Sequence, residues 1–176
     1  MKYGELSLGQ IEALVNKLGG MDGVRRFLAD ELIVSESTVT GTFKRDMRKE
    51  GWKLLENTSR CLTSATDLEG VSFLKGSEGY VSGEEMVRRA RIELDANYGQ
   101  EDAEWLLEHQ DEISVELRKF YLVFTATVWE APDGRRHVAY LRWNGERWCL
   151  VFNRLGRDWY GSDRLPRPRK PALAGK

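Results

Sequence analysis

The stretch VAYLRWNGERWCLVFNRLGRDWYGSDR, residues 138–164, decides the fold. Apolar and polar residues alternate on both sides of Asn144-Gly145, through HVAYLRW (137–143) and RWCLVFN (147–153). Alternation with period two sends successive side chains to opposite faces of a sheet, and Asn-Gly accepts the positive φ angles of a two-residue hairpin turn. The stretch reads as an antiparallel hairpin running into a polar, aromatic loop. With Trp148, Leu150 and Phe152 toward the core, Arg147, Cys149, Val151 and Asn153 point outward. That outward surface continues through Arg142 and Asn144 on the paired strand and into Arg154, Arg157, Asp158, Tyr160, Ser162 and Asp163 in the loop. Tyr, Arg, Asn, Asp and Ser together are the composition of a recognition surface rather than of a catalytic cleft.

Upstream, FYLVFTATVWE (120–130) alternates in the same way and joins the hairpin through a Pro132–Gly134 turn, so three consecutive strands form a meander. Helical spacing precedes it. Ser82 and Glu85 have the spacing of a capping box ahead of Met86, Val87, Ala90 and Leu94. After Gly99, the segment Gln100–Gln110 is expected to bury Ala103, Leu106 and Leu107 and to expose its acids, and Ser114 to cap a further turn through Arg118. Val71–Leu74 reads as a short strand, and 57–70 as a loop with a domain boundary near Ser64. Gly76-Ser77-Glu78-Gly79 has the form of a KH-type GxxG loop, but Glu78 would repel a phosphate.

At the N-terminus Ile11, Leu14, Val15 and Leu18 define one short helix, ended by Gly19-Gly20, and Val24, Phe27, Leu28 and Leu32 a second, capped by Asp22. Two readings compete for Ile33–Trp52. In a helix-turn-helix at about residues 24–50, Ser35 caps the second helix, and Thr38, Lys44, Arg45, Arg48 and Lys49 meet DNA. In ordinary scaffold, the β-branched run around Val39 suits a strand better than a helix. The end, PRPRKPALAGK (166–176), reads as a disordered basic tail.

The expected fold class is α+β: short N-terminal helices followed by a helical pair and a C-terminal antiparallel β-meander. The expected division is 1–63, a helical region with the possible helix-turn-helix; 64–165, an α+β module; and 166–176, the tail. A length of 176 residues allows a substantial core. The formal net charge of -1 points to neither a polyanion-seeking nor a strongly acidic protein as a whole. Charge is uneven locally: 101–116 carries seven acids and no Lys or Arg, whereas five Lys or Arg and no acid follow Asp163.

Cys61 and Cys149 belong to no CxxC or Cys/His cluster. His109 in EHQDE, beside Glu108, Asp111 and Glu112, is the one candidate for metal or acid/base chemistry, and an exposed acidic helix end explains it more simply. P-loop, dinucleotide and nucleophile-elbow patterns are absent from the sequence. No apolar run reaches the about 18 residues of a membrane span, so a cytoplasmic location and no membrane partner are expected.

The blocks GQIEALVNKLGGMDGVRRFL, GQEDAEWLLEHQDEI, KFYLVFTATVW and RWCLVFNRLGRDWYGSDRLPRPRK resemble an uncharacterised family of small modular bacterial proteins, to which no activity is attached. The resemblance leaves out roughly 38–64. The segment from Trp143 to Arg169 is also similar to the variable tails of retroelement-diversified proteins, usually of C-type lectin fold. That resemblance implies diversifiable positions at Asn144, Cys149, Val151, Asn153, Tyr160, Ser162 and Asp163. The expectation for function is non-catalytic recognition of a macromolecule, a protein in preference, with no cofactor or metal. The alternative is a DNA-binding regulator.

Overall fold

The computed structural model describes residues 39–169 together with Glu12, Val15, Asn16, Lys17, Gly20, Met21 and Val24. The chain divides after Thr38 into two units. In the first, Glu12, Val15–Lys17, Met21 and Val24 have helical backbone. The remaining expectations for that unit, including Ser35 and Thr38, lie outside the described residues, as does 170–176.

In the second unit the elements run β1 (Lys53–Glu56), β2 (Leu68–Val71), β3 (Tyr80–Ser82), α1 (Gly83–Ile92), α2 (Gln100–Glu108), β4 (Tyr121–Glu130), β5 (Arg136–Trp143), β6 (Trp148–Arg154), β7 (Asp158–Tyr160) and β8 (Asp163–Pro168). The main sheet has the order β2-β8-β4-β5-β6, with β1 paired to the far end of β4, and β3 pairs with β7 in a second, two-stranded sheet. The β4–β8 pairing is parallel and the others antiparallel. The expected meander is β4-β5-β6, with Trp143 opposite Trp148 and Val138 opposite Asn153. At its tight turn the Asn144 side-chain oxygen accepts from the Glu146 and Arg147 N–H groups.

β4 is buried on both faces from Leu122 through Trp129, which an alternating sequence does not require but a central strand between two layers does. On one face Leu122, Phe124, Ala139, Leu141 and Trp148 pack with Ala103 and Leu106 of α2. On the other, Val123, Val128, Val138 and Leu165 pack with Met86, Val87 and Ala90 of α1 and with Trp159 of β7. Between Phe124 and Val128 the register slips, so that Thr125–Thr127 bulge out of the ladder. The segment before α2 fills the gap: Ala126 N–H donates to Tyr98 O at 3.1 Å, and Gln100 N–H to Thr127 Oγ1 at 2.8 Å. A Cβ at Gly99 would stand 2.5 Å from Thr127 Oγ1, so this approach requires glycine.

The structure corrects several expectations. The strand placed at Val71–Leu74 is instead Leu68–Val71, antiparallel to β8, and Phe73 turns into the core beyond it. Pro166 and Pro168 belong to β8 rather than to a tail; they follow Asp163 and Arg164, the last residues with β4 alongside, so their missing N–H groups fall where β2 is the sole neighbour. No boundary falls near Ser64, because β1 is part of the main sheet.

Of the two readings of Ile33–Trp52, neither the recognition helix nor a strand around Val39 forms over the described residues. Val39–Phe43 is irregular, and Met47–Glu50 makes a single 3₁₀ turn before β1. Thr40, Gly41 and Thr42 are weak helix formers, and Glu104 captures the Lys44 and Arg45 N–H groups at 2.8 and 2.9 Å. Three of the supposed phosphate contacts are engaged within the molecule. Lys44 pairs with Glu108, Arg45 donates to the edge carbonyl Leu150 O, and Arg48 is held by both oxygens of Asp46.

The acids of α2 are likewise not a solvated face. Asp102 is fully buried and Glu104 nearly so. Glu101 accepts from Thr42 N–H and Arg60 N–H, and Asp102 from Cys61, Leu62 and Gly99 N–H at 2.9, 2.7 and 2.9 Å. Carboxylates thus satisfy the amides of two irregular segments that have no strand partner.

Candidate functional site

Leu155, just past β6, is the buried anchor of the region. Its N–H donates to Arg136 O at 2.8 Å, and its carbonyl accepts the Trp159 indole N–H at 3.2 Å. The first turn of α1 lies directly against it, since a Cβ on Gly83 would fall 1.8 Å from Leu155 O. This clamp holds the β4–β5 turn, the end of β6 and the β6–β7 loop together. A cleft of about 380 Å³ opens where they meet, lined by Arg135, Arg136, Arg154, Gly156 and Arg157.

The four guanidinium groups are held to different degrees. Arg157 lies 3.8 Å from the Trp159 ring centroid and donates to Asp163 Oδ1 at 3.2 Å and to Asp158 O at 3.0 Å. Its Nε is buried without an acceptor. Arg136 pairs with Glu84 and Arg135 with Asp133, and both carboxylates are exposed. The Arg154 guanidinium has no ion pair among the described residues; at this position the backbone N–H alone is engaged, by Asn153 Oδ1. Tyr80 and Tyr160, outside the lining of the cleft, pair across the β3–β7 sheet with ring centroids 5.9 Å apart. They are 57% and 47% exposed, among the most exposed large apolar side chains of the described residues.

Among the residues expected to make contacts, Arg154 lines the cleft, and Asp158, Tyr160 and Ser162 are exposed nearby in sequence. Asp163 has a different role: it is 1% exposed, with Oδ2 accepting from Tyr160 N–H at 2.9 Å while Oδ1 holds Arg157. It positions the surface and cannot itself touch a partner. Arg142, Asn144 and Cys149 lie toward the opposite end of the hairpin, and Cys149 is about 17 Å along β6 from Arg154 at the usual rise per residue. Asn144 serves the turn, while Cys149, Val151 and Asn153 are half-buried on the sheet.

Arg135, Arg136 and Tyr80 were not in the expected set. The register was not legible from the turn: a two-residue Asn144-Gly145 loop would set Arg154 opposite Arg135, whereas the strands pair Trp143 with Trp148, which sets Arg154 opposite His137 and hence next to Arg136. Nothing local in the sequence marks Tyr80, whose place follows from a three-residue strand pairing with a distant one.

The other polar features are engaged structurally. His109 stacks on Trp105 at 3.9 Å, its Nδ1 2.9 Å from Trp105 O. His137 is buried beside Trp52, with Nδ1 2.9 Å from Arg135 O. A second pocket, about 440 Å³, is lined by Glu56, Asn57, Thr58, Arg91, Asn97 and Ala126. Glu56 pairs with Arg91, and Asn57 bonds to Thr127, Thr40 and Glu101. Among the described residues no helix is long and apolar enough to cross a membrane. No protein-family model, curated protein or solved structure matches the chain.

Proposed function

We propose that the protein is a non-catalytic recognition protein that binds a partner protein through the arginine cleft and the Tyr80–Tyr160 pair. The observation that carries this reading is one concavity lined by Arg135, Arg136, Arg154 and Arg157, with Arg157 and the backbone of the exposed Tyr160 held by the same buried Asp163. Arginine and tyrosine dominate the energetics of protein interfaces, because each offers a large contact area with directional polar groups. Here the surface is pre-organised by buried groups, Trp159 under Arg157 and Asp163 behind both Arg157 and Tyr160, which lowers the entropy lost on binding.

The test is the double substitution Tyr80→Ala/Tyr160→Ala. Both side chains are exposed, so the melting temperature should hold while capture of the partner from nuclease-treated lysate falls to background. Undiminished capture by a folded double variant refutes the reading. Capture that disappears on nuclease treatment of the wild type would transfer the role to nucleic acid.

A further inference from the structure

We infer that the arginine cleft takes a phosphomonoester dianion, presented as a phosphorylated side chain of the partner; this rests on the recognition reading above. Four arginines from three chain segments line one concavity. Their planar forks match the oxygens of a phosphate in bidentate fashion, each bond strengthened by the charge of both groups.

The charges around the cleft select a dianion. Glu84 and Asp133, the partners of Arg136 and Arg135, have side chains 59% and 50% exposed and can turn into water when a stronger anion enters. Asp163, with its side chain 2% exposed, stays in place. Four cations then face one fixed carboxylate, an excess that one further carboxylate would leave largely uncompensated. Donor capacity is also waiting at the Arg154 guanidinium, which has no ion pair among the described residues.

Polynucleotide backbone fits this surface less well. It requires a track of uncompensated cations, whereas Arg88 is held by Glu85 and Glu93 and Arg89 by Glu78 and Glu85, carboxylates more buried than Glu84 and Asp133.

Titration of the full chain at constant ionic strength with O-phosphoserine, inorganic phosphate, serine and an unphosphorylated-end single-stranded oligonucleotide tests the inference. Saturable binding of phosphoserine and phosphate, and none of serine, is expected. Arg136→Ala/Arg154→Ala should weaken phosphoserine binding at least about tenfold, and Arg154→Lys, which keeps the charge and loses the fork, should be intermediate. Absence of saturable phosphate and phosphoserine binding overturns the inference, as does equal binding by the folded double variant. So does a preference for the oligonucleotide that grows with its length. Partner capture is scored separately: capture that persists while phosphoserine fails to bind removes this inference and leaves the recognition reading standing.

Discussion

Helix α2 and the arginine cleft are both dense in charge, and they use it in opposite ways. Glu101, Asp102 and Glu104 face backbone N–H groups of 42–45 and 60–62, so each carboxylate substitutes for a missing strand partner. In the cleft, Arg135 and Arg136 meet exposed carboxylates, Arg157 keeps a buried donor unpaired, and Arg154 meets no counterion among the described residues. Charge tied to rigid backbone maintains a fold, whereas charge left facing exposed carboxylates or solvent is available to a ligand. Substitutions in the two regions should therefore differ in sign as well as in size.

The largest effect is expected at Asp102. Asp102→Ala removes at once the acceptor of two buried N–H groups, Leu62 and Gly99, and of the part-buried Cys61 N–H, and a buried orphaned donor costs about 1–3 kcal/mol before relaxation. Burial also pushes the Asp102 carboxyl above the usual range, against the backbone N–H groups of Gly99, Leu62 and Cys61, so part of the loss is recovered when the buried charge goes. A net destabilisation of about 3 kcal/mol by urea unfolding is expected, with faster hydrogen exchange at Cys61 and Leu62. A change within the noise of a surface substitution would erase the distinction between the two regions.

Those same residues show what could be read from sequence. The meander was legible because alternation and Asn144-Gly145 are local signals, and the α1 start because Ser82 Oγ does accept from Glu85 N–H. Its reciprocal half did not form, since Glu85 turns instead to Arg88 and Arg89. The short strands β3, β7 and β8 were not legible as such, because their existence depends on partners far along the chain. An acidic run such as 101–116 reads as solvated because periodicity places side chains on faces without saying which irregular backbone comes to meet them. Asp163 failed as an expected contact for the same reason.

An intermediate effect is expected from pH. Arg89, itself buried, holds Glu78 with help from the Lys75 N–H, and Arg88 and Arg89 hold Glu85, so both carboxyls are pulled down to about 2. A carboxyl with its folded pKa below the unfolded value stabilises above the unfolded pKa and loses that contribution as pH falls through the folded one. The melting temperature should therefore drop between about pH 4.5 and 2. Asp102 acts with the opposite sign: its pKa is raised, so its protonation favours the fold and partly offsets the loss at acid pH. Glu78→Gln should flatten the acid limb, and an unaltered limb would show that the Gly76–Gly79 turn is not held by Arg89.

The smallest expected effect is the one that separates a binding surface from a brace. Arg154→Ala removes an exposed side chain without an ion pair among the described residues, so the change in stability should stay within about 0.5 kcal/mol. Its direction is the informative part. Four arginines lining one concavity repel one another, so removing the uncompensated member should raise the melting temperature slightly at low ionic strength. The gain should vanish near 1 M salt, where the screening length shrinks to about 3 Å. A binding residue held against local repulsion gives up stability for function, and its removal relieves that cost. Destabilisation by Arg154→Ala that is independent of salt would mean that Arg154 braces the end of β6, and the cleft would then belong with α2 as part of the scaffold.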